Sequence, residues 1–285
     1  MQSNNPIFRR SEEFQRAGGN PYGGQPGSGS PVSDPSQWSV GTPGATGYAP
    51  APTQTGPMTI DSVVQATAIS FVAVLVTAFA TWMLTPEITA DMPSSQLSGL
   101  FAAMSIGSLA AFALSMVNSF RRIVSPALVL AFCAAEGVAL GGISKFFDAQ
   151  YGEHIVISAV LGTFAAFAGT LTAYRFFNIK VGQRFRTFVI AGVFGMVGLS
   201  ILELVLSLFG NGTGLFGVTG LGMLTAFAGL ALGIFMLILD FDMVERGIAA
   251  GVDERESWRA AFGLTVSLVW IYTNLLRILA FFNRS

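Results

Sequence analysis

Charge is scarce in this sequence: only 11% of its 285 residues are Asp, Glu, Lys or Arg, against roughly a quarter in soluble domains. A chain that is also 52% hydrophobic cannot keep most of its surface in water, which argues against an ordinary soluble fold. The net charge of −1 and the lack of any basic block set nucleic acid aside as a partner. There is one cysteine, Cys133, in an apolar run; it can form no intramolecular disulfide and reads as a small buried hydrophobe. The one histidine, His154, falls in a predicted loop, and there is no HExxH, no GxxxxGK[ST] and no cysteine-histidine cluster. Histidine-dependent serine or metal chemistry is therefore not expected, and the chain reads as a non-enzyme without a cofactor. The only lysines are Lys145 and Lys180, so the last apolar segment lacks the lysine that a retinal Schiff base would need.

Long apolar segments are abundant. About 20 apolar residues cross the ~30 Å hydrocarbon layer as a helix, and seven segments qualify, near 61–84, 97–119, 124–147, 155–176, 187–209, 214–243 and 259–281. The chain is thus expected to be all-α, a polytopic membrane protein whose 58–285 region forms a seven-helix transmembrane domain. Residues 1–57, rich in Gly, Pro, Ser, Gln and Thr, cannot bury enough apolar surface to offset the entropy of ordering and are expected to be a disordered tail. The tail has no signal-peptide hydrophobic region, so the first span is expected to act as an uncleaved anchor. The run Ser62-Val-Val-Gln65 suggests a capping box at the start of that span. The glycine-rich start of the sixth suggests a tilt or break.

Alternate loops are basic. Arg121 and Arg122 lie between spans two and three, Lys180, Arg184 and Arg186 between four and five, and Arg246, Arg255 and Arg259 between six and seven. The positive-inside bias places these loops and the N-terminus in the cytoplasm and the C-terminus outside. Arg277 and Arg284 run against that bias. Lys145 falls in the third, outer loop.

Ionisable groups at bilayer depth are costly and tend to face the bundle interior. Glu136, near the middle of span three, is the deepest carboxylate; Gly137 and Gly141, with Ala131, Ala135 and Ala139, let neighbouring helices approach around it. Asp240 lies near the end of span six in FMLILDFDMVERG. Gly233 and Gly229 precede it by two and three helical turns on the same face, so it points into the bundle. Burial disfavours a charged carboxylate, which makes Asp240 the candidate pH sensor. Asp242 faces elsewhere and can pair with Arg246 on the surface. Glu203 of span five and Arg277 of span seven lie at similar depth and are a possible outer pair, with Ser200 and Ser207 extending a polar stripe beside Glu203.

The stretches RRIVSPALVLAFCAAEGVALGGISKFF, LILDFDMVERG and ERESWRAAFGLTVSLVWIYTNLLRIL, in this order along seven spans, resemble the Bax inhibitor-1 (transmembrane Bax inhibitor motif) superfamily, in its actinobacterial Bax inhibitor-1-like branch. The resemblance covers about 58–285, and the start NPIFRRSEEF is similar too. It implies six spans around a central one and a pH-sensitive calcium leak governed by two aspartates and an arginine. Asp240 matches the first aspartate, with Asp242 as the competing register, and Arg121 or Arg122 is a looser match to the arginine. The second aspartate is replaced: one alignment puts Asn274 there and another Ser267. A lone aspartate should titrate more simply than a dyad, unless Glu136 supplies the missing carboxylate. The functional expectation is a cation leak of the cell membrane with calcium as the transported ion. The alternative is a non-conducting interaction protein that modulates a membrane protease or stress response, with its tail binding a membrane-protein partner.

Overall fold

The computed structural model describes residues 56–88, 94–152 and 154–283, with backbone alone at 94–97. Residues 1–55, almost all of the expected disordered tail, lie outside the described residues, as does Arg284. Among the described residues there are seven helices of transmembrane length and hydropathy: α1 (Ile60–Leu84), α2 (Ser94–Phe120), α3 (Pro126–Tyr151), α4 (Ile155–Phe176), α5 (Gln183–Leu208), α6 (Gly220–Ala249) and α7 (Glu256–Phe282). The chain is an all-α, seven-span protein. A lipid-facing backbone has no water to bond, so each crossing segment satisfies itself as a helix.

Two ends differ from expectation for local reasons. The cap of α1 is Thr59, and Ser62 is its third helical residue: the Ser62 amide donates to Thr59 Oγ1 at 3.1 Å while the Thr59 amide donates to Ser62 Oγ at 3.0 Å. The reciprocal box is real, but it begins three residues before the expected Ser62. In span six, residues 214–219 are a loop rather than helix. Gly214 takes φ +72° there, Gly217 N donates back to its carbonyl, and Thr219 caps α6 by accepting from Gly222 N at 3.0 Å. The third loop is also shorter than expected, because α3 runs on to Tyr151 and carries Lys145 inside it.

The last helix forms the axis of the bundle. Buried residues of α7 run from Ser257 to Ala280, and α1, α3, α4 and α6 pack directly against it. The implied arrangement of six helices around one becomes four, because α2 packs only on α3 and α5 only on α6. Close approach depends on small residues, since lipid is as apolar as a leucine side chain and helices gain mainly by packing. A Cβ on Gly141 would come within 3.0 Å of Ala78 Cα on α1, and one on Gly107 of α2 within 2.8 Å of the Ala139 amide nitrogen of α3. Gly233 of α6 is similar: a Cβ there would lie 2.7 Å from Ile271 Cγ1 on α7.

A short strap precedes α1. Met58 N donates to Val252 O at 2.8 Å and Glu254 N to Gly56 O at 2.9 Å, so the chain entering the first helix is stitched to the α6–α7 loop. Met58 is buried against Gly247 at the end of α6, and Ser62 shares a 2.7 Å hydrogen bond with Ser257 at the start of α7.

Candidate functional site

Asp240 sits two-thirds of the way along α6, on the face that meets α7. The shared face expected from Gly229 and Gly233 is present: both glycines lie against α7, next to Asn274 and Ile271 respectively, and Asp240 continues the line. Ser267 Oγ of α7 donates to Asp240 Oδ2 at 2.5 Å. The other oxygen, Oδ1, lies over Gly263, where a Cβ would come within 3.1 Å of it. Gly263 and Ser267 are one turn apart, so together they form a small cradle for one carboxylate. On the opposite side Asp240 lines a cleft of about 290 Å³ between α5 and α6, walled by Val189, Val193, Phe194 and Met236. Among the described residues no ion pair reaches Asp240.

The two alternatives for the missing aspartate therefore separate. Ser267 faces Asp240. Asn274 lies two turns further along α7, where Nδ2 donates to Trp270 O at 2.7 Å and Oδ1 accepts from Arg277 Nη1 at 3.3 Å. Asp242 is turned away and forms an ion pair with Arg246 at 2.9 Å. Arg246 also donates to Val181 O at 2.8 Å, so the pair ties the end of α6 to the loop before α5.

Glu136 does not complete a dyad. The backbones of α3 and α6 are not packed together, so the condition under which Glu136 could partner Asp240 is not met. Its half-buried side chain makes no hydrogen bond or ion pair among the described residues. It shares the side of α3 occupied by Phe132, Cys133 and Leu140, one turn away in either direction, which belong to the apolar core that α3 forms with Tyr272 and Leu276. The side chains of Arg121 and Arg122 are exposed and make no bond to Asp240. Their carbonyls instead accept from Arg259 Nη2 on α7, at 3.5 and 2.9 Å. Arg259 also pairs with Glu256 at 2.7 Å, so the arginine that bridges the α2–α3 turn and the start of α7 is Arg259.

Among the described residues no group of three or more His, Cys, Asp and Glu side chains is placed to hold a metal ion. The family model for Bax inhibitor 1 like proteins matches residues 5–284, nearly the whole chain. The chain belongs to the Bax inhibitor 1 like family. No curated protein matches it. With its seven apolar helices, this family member is a multi-pass membrane protein.

At the other end of this Bax inhibitor 1 like bundle, Glu203 and Arg277 are not an ion pair. Both hold the α5–α6 loop, through different atoms. Glu203 accepts from Gly214 N at 2.7 Å, from Thr213 N at 3.2 Å and from the Thr213 hydroxyl. Arg277 Nη2 donates to Thr225 Oγ1 at 2.7 Å, Gly222 O at 2.8 Å and Leu215 O at 3.0 Å, with the guanidinium over the Phe216 ring. The Leu215 and Gly222 carbonyls and the Thr225 hydroxyl take the arginine in place of Glu203. Ser200 and Ser207 donate to carbonyls of their own helix, Met196 O and Leu204 O.

Lys145 is a buried group, not the outer-loop residue expected from the sequence. It is 6% exposed, and its ammonium donates to Trp82 O at 2.7 Å and to Thr85 O. Those carbonyls end α1, where the helix dipole favours a cation. The chain does carry a signal for this: Lys145 follows Gly141 by one turn, and that glycine face meets α1.

Proposed function

We propose that the protein is a pH-sensitive cation leak of the cell membrane, with calcium as the transported cation and Asp240 as the proton-sensitive group. The observation carrying this reading is the Asp240 carboxylate held between α6 and α7 by a single hydroxyl, Ser267. A group with one neutral partner and no countercharge gains or loses a proton with little else in place to compensate, and so can change how the two helices meet. Charge supports the orientation in this reading: the turns at Arg121 and Arg122, at Lys180 and at Arg255 lie at the Asp240 end, and the positive-inside bias favours the cytoplasm for that end and for the N-terminus. The reading involves no enzymatic step and no resident cofactor.

Calcium flux into dye-loaded liposomes containing the purified full-length protein tests it. Flux should vary with pH, and Asp240→Asn should abolish the variation; liposomes that stay impermeable at every pH would overturn the reading. The alternative, a non-conducting partner of a membrane protease or stress machinery, draws on the strap, since residues 56–58 bond the α6–α7 loop directly. A partner pulling on the tail would act on the same helices. Co-purification with the full chain, lost on removing residues 1–55, would favour it.

A further inference from the structure

A second cavity lies apart from the cleft that Asp240 lines and shares none of its wall residues. It has a volume of about 230 Å³ and is enclosed by α1, α3, α4 and α7. The backbones of α1 and α4 do not pack on each other. The rings of Phe71 and Phe164, 6.0 Å apart, bridge them. Above that bridge the space between the two helices opens sideways, and its rim is continuous with the lipid-facing surface at Leu75 and Phe79, which are 47% and 66% exposed.

The wall chemistry restricts what can enter. Four hydroxyls line the cavity, and each makes a hydrogen bond within the protein: Ser144 and Tyr272 bond each other at 2.6 Å, Thr163 donates to Ala159 O and Thr265 to Ala261 O, both at 2.8 Å. The remaining lining is aliphatic or aromatic. Such a cavity carries no charged side chain and offers few free polar atoms to water or to an ion, and predominantly apolar cavities take apolar guests. An empty void would forfeit the dispersion contacts of every wall atom. The cavity follows α1 from Phe71 to Trp82, about 16 Å at 1.5 Å per residue, close to one leaflet's share of a ~30 Å hydrocarbon layer. It also extends behind α1 and α4 to Ser144 and Tyr272, which are 7% and 8% exposed. A partner helix, about 10 Å across, can cover the mouth but cannot pass between helices whose side chains already touch.

We propose that this cleft is an acyl-chain site, in which one tail of a membrane phospholipid enters between α1 and α4 and lies against the Ser144–Tyr272 floor.

The test uses the full-length protein in nanodiscs of phospholipid carrying a photoactivatable diazirine within one acyl chain, with adducts mapped by peptide mass spectrometry. Adducts are expected on the shielded floor residues Leu140, Ser144 and Tyr272. Val160→Trp, which fills the cleft from α4, should lower floor labelling about tenfold, while the exposed Leu109 and Phe112 of α2 keep theirs as an internal control. Leu75→Trp at the exposed rim provides a second filling variant that does not disturb the core. Wild-type protein labelled only on exposed residues would overturn the proposal, as would floor labelling that persists in a folded filling variant. Native mass spectrometry of the wild type should show a retained phospholipid; retention of a free fatty acid or an isoprenoid alone would overturn the choice of occupant.

Discussion

The two ends of the α6–α7 pair hold their polar groups very differently. At one end Arg277 serves Leu215 O in the loop before α6, Gly222 O and Thr225 Oγ1 at the start of α6, and also Asn274. At the other, Asp240 has a single hydroxyl and open apolar space beside it. A charge with many fixed partners locks a junction, because moving it would break several hydrogen bonds at once. A charge with one neutral partner leaves its junction free to change. The same two helices are therefore pinned at one end and adjustable at the other, and only the second arrangement suits a proton-operated element.

The largest expected effect is at the pinned end. Arg277→Met should remove its charge-assisted bonds to Leu215 O, Gly222 O and Thr225 Oγ1, lowering stability by about 3 kcal/mol, measurable as earlier thermal unfolding in detergent. An unchanged transition would mean that the two ends do not differ as described. Next comes the glycine line between them. Gly229→Leu would drive a side chain into Asn274 and should destabilise by about 2 kcal/mol, read from the same transition. Ser267→Asp sharpens the comparison at the adjustable end. It sets a second carboxylate against Asp240, and the single-step pH profile of flux expected for the wild type should become two steps, as interacting carboxylates titrate as a pair. The smallest effect should come from Ser267→Ala, at about 0.6 kcal/mol, the size of one interhelical hydrogen bond in a membrane, with the pH midpoint of flux displaced. If Ser267→Ala cost as much as Arg277→Met, Asp240 would belong to a locked junction too.

Much of this arrangement is legible in the amino-acid sequence. The spacing of Asp240 from Gly229 and Gly233 puts it on the α7-facing side, and the spacing of Asp242 from Arg246 pairs those two, because a helix fixes which residues share a face. The expected pairing of Glu203 with Arg277 does not form, for a physical reason that similar depth does not capture. Leu215 O of the loop before α6 and Gly222 O at the start of α6 lie at that level, and an arginine takes the nearest strong acceptors. Lys145 reads as a loop residue because a lysine normally marks the end of a span, whereas here the carbonyls ending α1 accept it within the bundle.

Hydropathy and helical period are local and repeat every few residues, so the chain alone specifies its seven crossings, their alternating basic loops and the inward face of α6. Other features come only from the packing of the bundle: that Ser267 rather than Asn274 meets Asp240, that Glu136 stands apart from it, that Arg259 rather than Arg121 or Arg122 spans the α2–α3 turn, and that residues 56–58 are stitched to the loop before α7. Each of these depends on the axial register and rotation of one helix against another. Lipid-embedded helices set both through a few small residues and single hydrogen bonds, and no periodicity along the chain records which ones meet.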